Sequence, residues 1–256
     1  MKTFDFITLS KVAKGDKSYA RMRLNRPDAR NALNNQLAHD LFAACRSLAE
    51  DSDISLVVIE AEGSVFCAGA DVKERATLDE DQVRARRLRG FRAYAAIEAL
   101  PMPVICVVDG ACVGSGCEIA LASDFIIASD RASFRTPEAR WGTVGATQRM
   151  SRAIGLRRAK QMMFTGQTID AERAESWGLV NQVVPEAELG STLDDLVSEM
   201  MEAPRSALRL AKKAMIAGFE DSRFGALAHE IYAIEDNLDE GEWKSGMQRA
   251  LNKTEI

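Results

Sequence analysis

The sequence predicts an α/β core followed by a helical C-terminal region, and three observations lead to this fold class. Apolar runs of strand length alternate with segments of helical periodicity over roughly the first two-thirds of the chain. Two of these runs, residues 54–61 and 103–110, are almost entirely apolar, as is typical of parallel strands buried on both faces. From Glu186 onward, Leu, Ala, Met, Glu and Lys dominate, and these residues favour helices.

The first elements are a pair of strands and a helix. Residues 6–9 (FITL) and 19–24 (YARMRL) are predicted strands, joined through the turn-forming KGDK. Asn34 is expected to cap the helix that follows. The apolar stripe of that helix comprises Leu37, Leu41, Cys45 and Leu48. The buried strand of residues 54–61 comes next, and residues 124–129 (DFIIAS) form a third buried strand after 103–110.

A helix predicted for residues 79–100 is rich in arginine. Its apolar positions are expected to form its buried side: Val83, Leu88, Phe91 and Tyr94. Its arginines either attract an anionic ligand or form a solvated face balanced by the preceding LDEDQ segment. They are Arg84, Arg86, Arg87, Arg89 and Arg92.

The C-terminal residues are predicted to be helical throughout. Pro204 stands where a helix can start, and SALRLAKKAMIAG (206–218) is amphipathic with Gly218 as the expected stop. We therefore divide the chain into a core of residues 1–190 and a helical region of residues 191–256. Such an appendage often buries the surface of a neighbouring subunit.

Composition restricts the classes of function. The 256 residues are 46% hydrophobic and 28% charged, which is ordinary for a globular protein. A net charge of −5 with well-mixed signs gives no broad basic surface, so we expect a small-molecule partner and no nucleic acid. The N-terminus lacks the apolar stretch of a signal peptide, and no apolar run approaches the ~20 residues of a membrane span. A cytoplasmic protein without membrane partners is expected.

Cysteine and histidine usage argues against a metal centre. There are two histidines and five cysteines, and no C-x-x-C pair occurs. The cysteines are therefore interpreted as small buried hydrophobic residues. They are Cys45, Cys67, Cys106, Cys112 and Cys117.

Two turns made of small residues follow buried strands. The first contains Ala68, Gly69 and Ala70, and the second, GACVGSGCEIA, becomes helical from about Gly114. Two such turns can aim two backbone N–H groups at one oxygen, as in an oxyanion hole. The alternative is that each is only a tight strand-to-helix turn. The glycines at 110, 114 and 116 do not fit the G-x-G-x-x-G spacing of a dinucleotide site.

Five motifs resemble those of one family, in the same order along the chain. They are LNRPDARNALN (24–34), FCAGADV (66–72), GSGCEIALASD (114–124), TPEARWG (136–142) and FTGQTIDAERAESWGLVNQVVP (164–185). Together they resemble the enoyl-CoA hydratase/isomerase family, or crotonase superfamily, from about Phe6 to the C-terminal helices. The resemblance implies a crotonase-like spiral of ββα units with a helical C-terminal trimerisation region. It also implies a homotrimer or homohexamer.

The resemblance implies a role for four residues. The N–H groups of Ala70 and Ser115 would form the oxyanion hole, with serine where most members compared have glycine. Glu118 and Glu138, twenty residues apart, match the acid/base pair of the hydratases. The implied reaction is reversible hydration of a 2-enoyl-CoA, as in fatty acid metabolism. Isomerisation or C–C bond cleavage through the same enolate is the alternative, and a non-catalytic CoA- or RNA-binding member is a third possibility.

The resemblance also implies where coenzyme A binds. Members bind it in a bent form near the NAL turn and the AGADV segment, and no separate cofactor is implied because coenzyme A is part of the substrate. The implied contacts are Arg30, Ala32, Ala68, Gly69, Ala70, Asp71, Val72, Lys73, Gly114 and Ser115. Arg30 and Lys73 can face phosphates, although exposed cations of this kind are also ordinary surface residues.

The chain departs from the hydratases of the family at one loop. Where those read G-x-I-P-G-A-G-G-T-Q-R, residues 142–150 read GTVGATQRM, which is about three residues shorter and lacks the proline. A backbone N–H of that loop helps the hydratases to hold the attacking water, so the shortening is expected to change the water site. Trp141 replaces a smaller aliphatic residue of many members and is expected to narrow or flatten the acyl pocket.

Overall fold

A six-stranded sheet and a three-stranded sheet organise the computed structural model, which describes residues 3–253. The strands are β1 (Ile7–Lys14), β2 (Lys17–Leu24), β3 (Ile54–Ala61), β4 (Val104–Val108), β5 (Ala111–Val113), β6 (Phe125–Ser129), β7 (Ser133–Arg135), β8 (Thr168–Asp170) and β9 (Gln182–Val184). The α-helices are α1 (Asn35–Glu50), α2 (Val72–Arg75), α3 (Glu80–Glu98), α4 (Ser115–Leu121), α5 (Thr147–Ile154), α6 (Leu156–Thr165), α7 (Ala171–Ser176), α8 (Leu189–Glu202), α9 (Arg205–Phe219), α10 (Arg223–Glu240) and α11 (Trp243–Lys253). Short 3-10 helices cover Pro27–Ala29, Glu138–Trp141 and Glu186–Glu188.

The nine strands of residues 3–253 form two sheets that are mostly parallel. The larger sheet runs β1-β2-β3-β4-β6-β9, with an antiparallel β1–β2 hairpin and parallel pairing from β2 onward. The smaller sheet runs β5-β7-β8. Seven of the eight residues of β3 are buried, because helices cover both faces of a parallel sheet. The predicted parallel α/β core is confirmed.

The predicted helix cap and apolar stripe of α1 are confirmed. The Asn34 side chain accepts a hydrogen bond from the Leu37 amide at 2.8 Å, which satisfies one of the free N–H groups of the first turn. The stripe is completely buried: Leu37, Leu41, Cys45 and Leu48. This stripe belongs to the larger of two apolar clusters, which also contains much of α3 and α4.

The second apolar cluster lies under α8. Leu193 and Val197 of this helix pack with Leu56 and Val58 of β3 and with neighbouring strand residues. The boundary proposed between residues 190 and 191 therefore falls in the first turn of a helix that covers the sheet. Helices α9 and α10 pack mainly on each other and carry several exposed apolar side chains: Met215, Phe219, Phe224, Leu227, Ile231 and Tyr232.

Two predictions about the helices are wrong. Leu88 and Phe91 were expected on the buried side of α3, but they are 69% and 43% exposed. The N-terminal half of α3 is held by its arginines rather than by apolar packing, and its buried residues lie further along, at Gly90, Ala93, Tyr94 and Ile97. Gly218 is not a stop, because α9 continues through Phe219.

The five cysteines are all buried and unbridged, so their interpretation as core residues is confirmed. Within residues 3–253, no helix combines the length and apolar character needed to cross a membrane.

Candidate active site

The two small-residue turns lie side by side. Cys67 pairs with Cys112 in a parallel bridge, the Cys67 amide donates to the Ala111 carbonyl, and the Val113 amide donates to the Cys67 carbonyl. Cys112 lies in β5 of the smaller sheet, so this pairing holds the first turn directly beside the second. As a result, Ala70 and Ser115 line one cleft.

Both amides predicted to form the oxyanion hole are available. Within residues 3–253, the N–H groups of Ala70 and Ser115 donate to no protein acceptor. The Ser115 amide belongs to the first turn of α4, where N–H groups have no intrahelical partner. The partial positive charge of such a turn favours an oxygen that gains negative charge. Each amide can thus serve as a donor to a substrate oxygen.

Glu118 is a buried carboxylate held by an arginine. It is 5% exposed on α4, and its Oε2 accepts a hydrogen bond from Arg149 Nη1 at 2.8 Å. Arg149 also donates two hydrogen bonds of 2.7 Å to Glu98, and its guanidinium lies 5.5 Å from the centre of the Tyr94 ring. Burial disfavours the charge of Arg149, but its hydrogen bonds with Glu98 and Glu118 outweigh this effect and raise its pKa. Glu118 therefore has a permanent cationic partner.

Glu138 occupies a different environment. It begins a one-turn 3-10 helix after β7, and its Oε2 is buried without a hydrogen-bond partner within residues 3–253. Its Oε1 lies against Gly114, the residue before Ser115, where a Cβ would collide with it. Burial raises the pKa of Glu138, and the nearby charge of Glu118 raises it further. The two carboxylates of one cleft are thus set in opposite electrostatic surroundings.

The remaining lining of the cleft comes mainly from α3 and the loop before α5. Tyr94 is buried, its hydroxyl lies beside Ser115, and burial raises the pKa of this hydroxyl. The apolar side chains that line the cleft include Leu33, Val83, Phe91 and Val144. The cleft contains a cavity of about 90 Å³ behind a mouth that opens to solvent.

The shortened loop of residues 142–146 forms one wall beside Glu138. The Thr143 amide donates to the Glu138 carbonyl at 2.9 Å, and a Cβ on Gly145 would lie 3.2 Å from Glu138 Cγ. Arg87 of α3 ties the loop down through 2.7 Å hydrogen bonds to the Val144 carbonyl and the Thr143 hydroxyl. Within residues 3–253, the Gly145 amide has no acceptor and so remains able to bind water.

Sequence similarity to known proteins extends over nearly the whole chain. A sequence model of the enoyl-CoA hydratase/isomerase family matches residues 14–256. The chain is 36% identical over 233 residues to a probable enoyl-CoA hydratase of Mycobacterium leprae, a match that covers 90% of each chain. It is 34% identical over 249 residues to the short-chain-enoyl-CoA hydratase of Clostridium acetobutylicum, which covers 96% of this chain and 95% of that one. The chain belongs to the enoyl-CoA hydratase/isomerase family.

Solved structures of the family share the whole fold. The enoyl-CoA hydratase of Bacillus anthracis superposes with a TM-score of 0.92 at 31% identity, covering 98% of this chain and 97% of that one. A putative enoyl-CoA hydratase of Thermobifida fusca, solved in complex with acetoacetyl-CoA, gives a TM-score of 0.80 at 26% identity. That match covers 91% of this chain and 95% of the other. The predicted crotonase-like fold is confirmed.

The residues that the family resemblance assigns to coenzyme A lie on two paired segments. The Leu33 amide donates to the Gly69 carbonyl at 2.8 Å, and the Ala68 amide donates to the Arg30 carbonyl at 3.0 Å. Arg30, Val72 and Lys73 are exposed, Ala32 and Ala68 are half-buried, and Gly69 and Gly114 are buried. Arg30 adopts a left-handed conformation with φ 51°.

Asp71 also has a clear structural task within this group. It is 7% exposed, pairs with Arg26 at 2.7 Å, and caps α2 by accepting from the amides of Lys73 and Glu74. Its carboxylate is therefore engaged within the chain, and so is its backbone, whose N–H donates to the Leu33 carbonyl and whose carbonyl accepts from the Arg75 amide.

Two site features differ from the sequence analysis. Trp141 is 59% exposed and does not line the cleft, because the left-handed Gly142 turns the loop back after the 3-10 helix and leaves the ring beside Arg135. No role was predicted for Arg149, which donates the hydrogen bond that holds Glu118. Its position at the end of the T-Q-R motif was the only available signal, since α5 brings it to Glu118 only through tertiary packing.

Proposed function

We propose that the protein catalyses the reversible addition of water to a 2-enoyl-CoA thioester. The observation that carries this proposal is that the buried carboxylate of Glu118 and the half-buried carboxylate of Glu138, in different surroundings, share one cleft with two unengaged backbone N–H groups. The enoyl-CoA hydratases of known name among the relatives support it. The reaction needs no additional cofactor, because the thioester itself accepts the electron pair of the enolate.

In this mechanism the thioester oxygen accepts hydrogen bonds from the amides of Ala70 and Ser115. These donors stabilise the negative charge that develops on the oxygen as water adds to the β-carbon. A flat thioester can approach them because Gly114 and the small residues of the two turns leave the backbone uncovered.

The two glutamates divide the proton transfers. Glu118, held in place by its hydrogen bond from Arg149, takes a proton from the attacking water, whose oxygen bonds to the β-carbon. Glu138, whose pKa is raised by burial, delivers a proton to the α-carbon and completes the 3-hydroxyacyl-CoA. The reverse reaction returns both protons by the same route. The free amide of Gly145 supports a water site despite the shorter loop.

Enoyl-CoA isomerisation is the second candidate, and the shortened loop favours it. If the loop holds water poorly, Glu138 alone can move a proton between two carbons of the enolate. Glu118 would then contribute little, which separates the two mechanisms.

Crotonyl-CoA and a short panel of branched and aromatic enoyl-CoAs test the proposal through loss of the conjugated thioester absorbance. Wild type is expected to hydrate at least one of them, and both E118A and E138A should lose at least about 100-fold in kcat. E62A, which removes a half-exposed surface glutamate, serves as the control. Activity retained in E118A would favour isomerisation, and a wild type inert to the whole panel would refute the hydratase.

We further propose a homotrimer or homohexamer assembled through the C-terminal helices. The exposed apolar side chains of α9 and α10, such as Phe219 and Phe224, support this assembly. Light scattering should give three or six times the 28.1 kDa mass of the chain, and a monomeric mass would contradict the proposal. The cytoplasmic location stays a prediction from the sequence.

A further inference from the structure

The cleft contains more positive charge than its proposed chemistry requires. Three arginines line it, namely Arg75, Arg86 and Arg87, together with two acidic residues, Glu118 and Glu138. Arg75 and Arg86 are half-buried, whereas Arg87 is exposed. A guanidinium that is partly removed from water usually has an anionic partner, because taking its charge out of water is costly.

Two of these five charges are neutralised by residues outside the cleft. Arg86 donates to Glu74 at 2.7 Å and also to the Leu33 carbonyl. Glu118 is paired with Arg149. Neither Arg86 nor Glu118 therefore balances another charge of the cleft.

Within residues 3–253, Arg75 has no carboxylate partner, and Arg87 has only the nearby charge of Glu138. The half-buried Arg75, at the end of α2, makes no hydrogen bond or ion pair through its guanidinium there. Arg87 bonds only to the neutral Val144 carbonyl and Thr143 hydroxyl. The charge of Arg87 opposes the rise that burial causes in the pKa of Glu138, so compensation by Glu138 goes to Arg87 and leaves Arg75 without a counter-charge.

We propose that the acyl group of the substrate ends in an anionic group, most simply a carboxylate, and that Arg75 binds it within the cleft. A planar guanidinium without a protein partner matches a carboxylate through two parallel hydrogen bonds. Arg87 adds positive potential while it holds the loop. This inference rests on the proposed function only because that function places the acyl group in this cleft. It identifies the substrates as thioesters of dicarboxylic acids.

The phosphates of coenzyme A are the other anions that Arg75 can meet. The cations assigned to them, Arg30 and Lys73, do not line the cleft. Arg75 does line it, together with both glutamates. This location favours the acyl end of the substrate, and the experiment must separate the two sources of negative charge.

Binding of saturated, unreactive thioesters provides the test, because it does not depend on catalysis. Titration calorimetry compares succinyl- with butanoyl-CoA, glutaryl- with pentanoyl-CoA, and adipyl- with hexanoyl-CoA. Each pair has the same number of acyl carbons and differs by a terminal carboxylate in place of a methyl group. At least one dicarboxylic thioester should bind wild type at least about tenfold more tightly than its partner, and R75Q should abolish that preference.

Two controls make the result specific. R84Q removes an exposed α3 arginine that pairs with Glu80 and Asp81 outside the cleft, so the preference should survive in this variant. The same pairs are also measured as pantetheine thioesters, which lack the nucleotide phosphates, and the preference should persist there. The proposal is overturned if wild type shows no preference for any dicarboxylic thioester, or if R75Q weakens both members of each CoA pair equally and has no effect on the pantetheine thioesters. Crotonyl-CoA turnover, measured separately, decides the hydratase without affecting either result.

Discussion

The ion pair between Arg149 and Glu118 can be tested closely, because α5 carries a second arginine in an ion pair of the same 2.8 Å length. The side chains of Arg149 and Glu118 are 17% and 7% exposed, whereas those of Arg152 and Glu220 are 57% and 63% exposed. Removing one member of a buried pair strands the other charge and costs about 3–5 kcal/mol. An exposed pair contributes at most about 1 kcal/mol. We therefore expect R149M to lower the free energy of unfolding by about 3 kcal/mol or more, and R152M by less than about 1 kcal/mol.

Urea unfolding at one fixed protein concentration measures both losses. Adding E118Q to R149M removes the stranded charge, so the double variant should recover a large part of the lost stability. Equal losses in R149M and R152M, or no recovery in the double variant, would show that the Arg149 pair does not hold Glu118. The kcat of R149M should also fall, because Glu118 loses the hydrogen-bond partner that fixes its position.

Two further predictions concern Glu138. In G114A, the new Cβ collides with Glu138 Oε1, so kcat should fall at least about 100-fold. The control is G178A, at a positive-φ glycine with no atoms within 4 Å of the new Cβ, which should lose only stability. Similar kcat values in the two variants would contradict this prediction. Burial raises the pKa of Glu138 above 4.5, so between the two pKa values the folded protein keeps a proton that the unfolded chain releases. Wild type therefore loses stability as pH rises through the folded-state pKa. E138Q should accordingly raise Tm relative to wild type at about pH 8 but not at about pH 4, and an equal difference at both pH values would show that the carboxylate carries no such cost.

Local signals were sufficient to predict most of the fold. Short apolar runs predicted the buried strands β3 and β4, and the residue type of Asn34 predicted the helix cap. All three appear in the structure. The buried face of α3 was missed because its apolar residues suggested packing along the whole helix. Ion pairs and hydrogen bonds from Arg86 and Arg87 hold its first half instead, and periodicity does not detect such contacts.

The candidate site was only partly accessible from sequence. The family motifs located Glu118, Glu138, Ala70 and Ser115, and the structure brings all four to one cleft. The partners that set their electrostatics, above all Arg149, come from elements distant in sequence and carry no local pattern. Whether an arginine is buried, paired or free depends on tertiary packing, which a spacing rule cannot supply.

The two glutamates also differ in how they are supported, with a consequence for how such a site can change. Glu118 stands on a helix docked in the core, together with the Ser115 amide, whereas Glu138 stands on a single helical turn beside the loop of residues 142–146. Under the proposed function, the Ser115 amide that binds the thioester oxygen and the proton acceptor Glu118 are fixed by the core. The proton donor Glu138 and the water position depend on the short turn and the adjacent loop, and so can be adjusted. Under that function, substitutions in residues 142–146 should alter the surroundings of Glu138 and of the water while leaving the Ser115 amide and Glu118 in place.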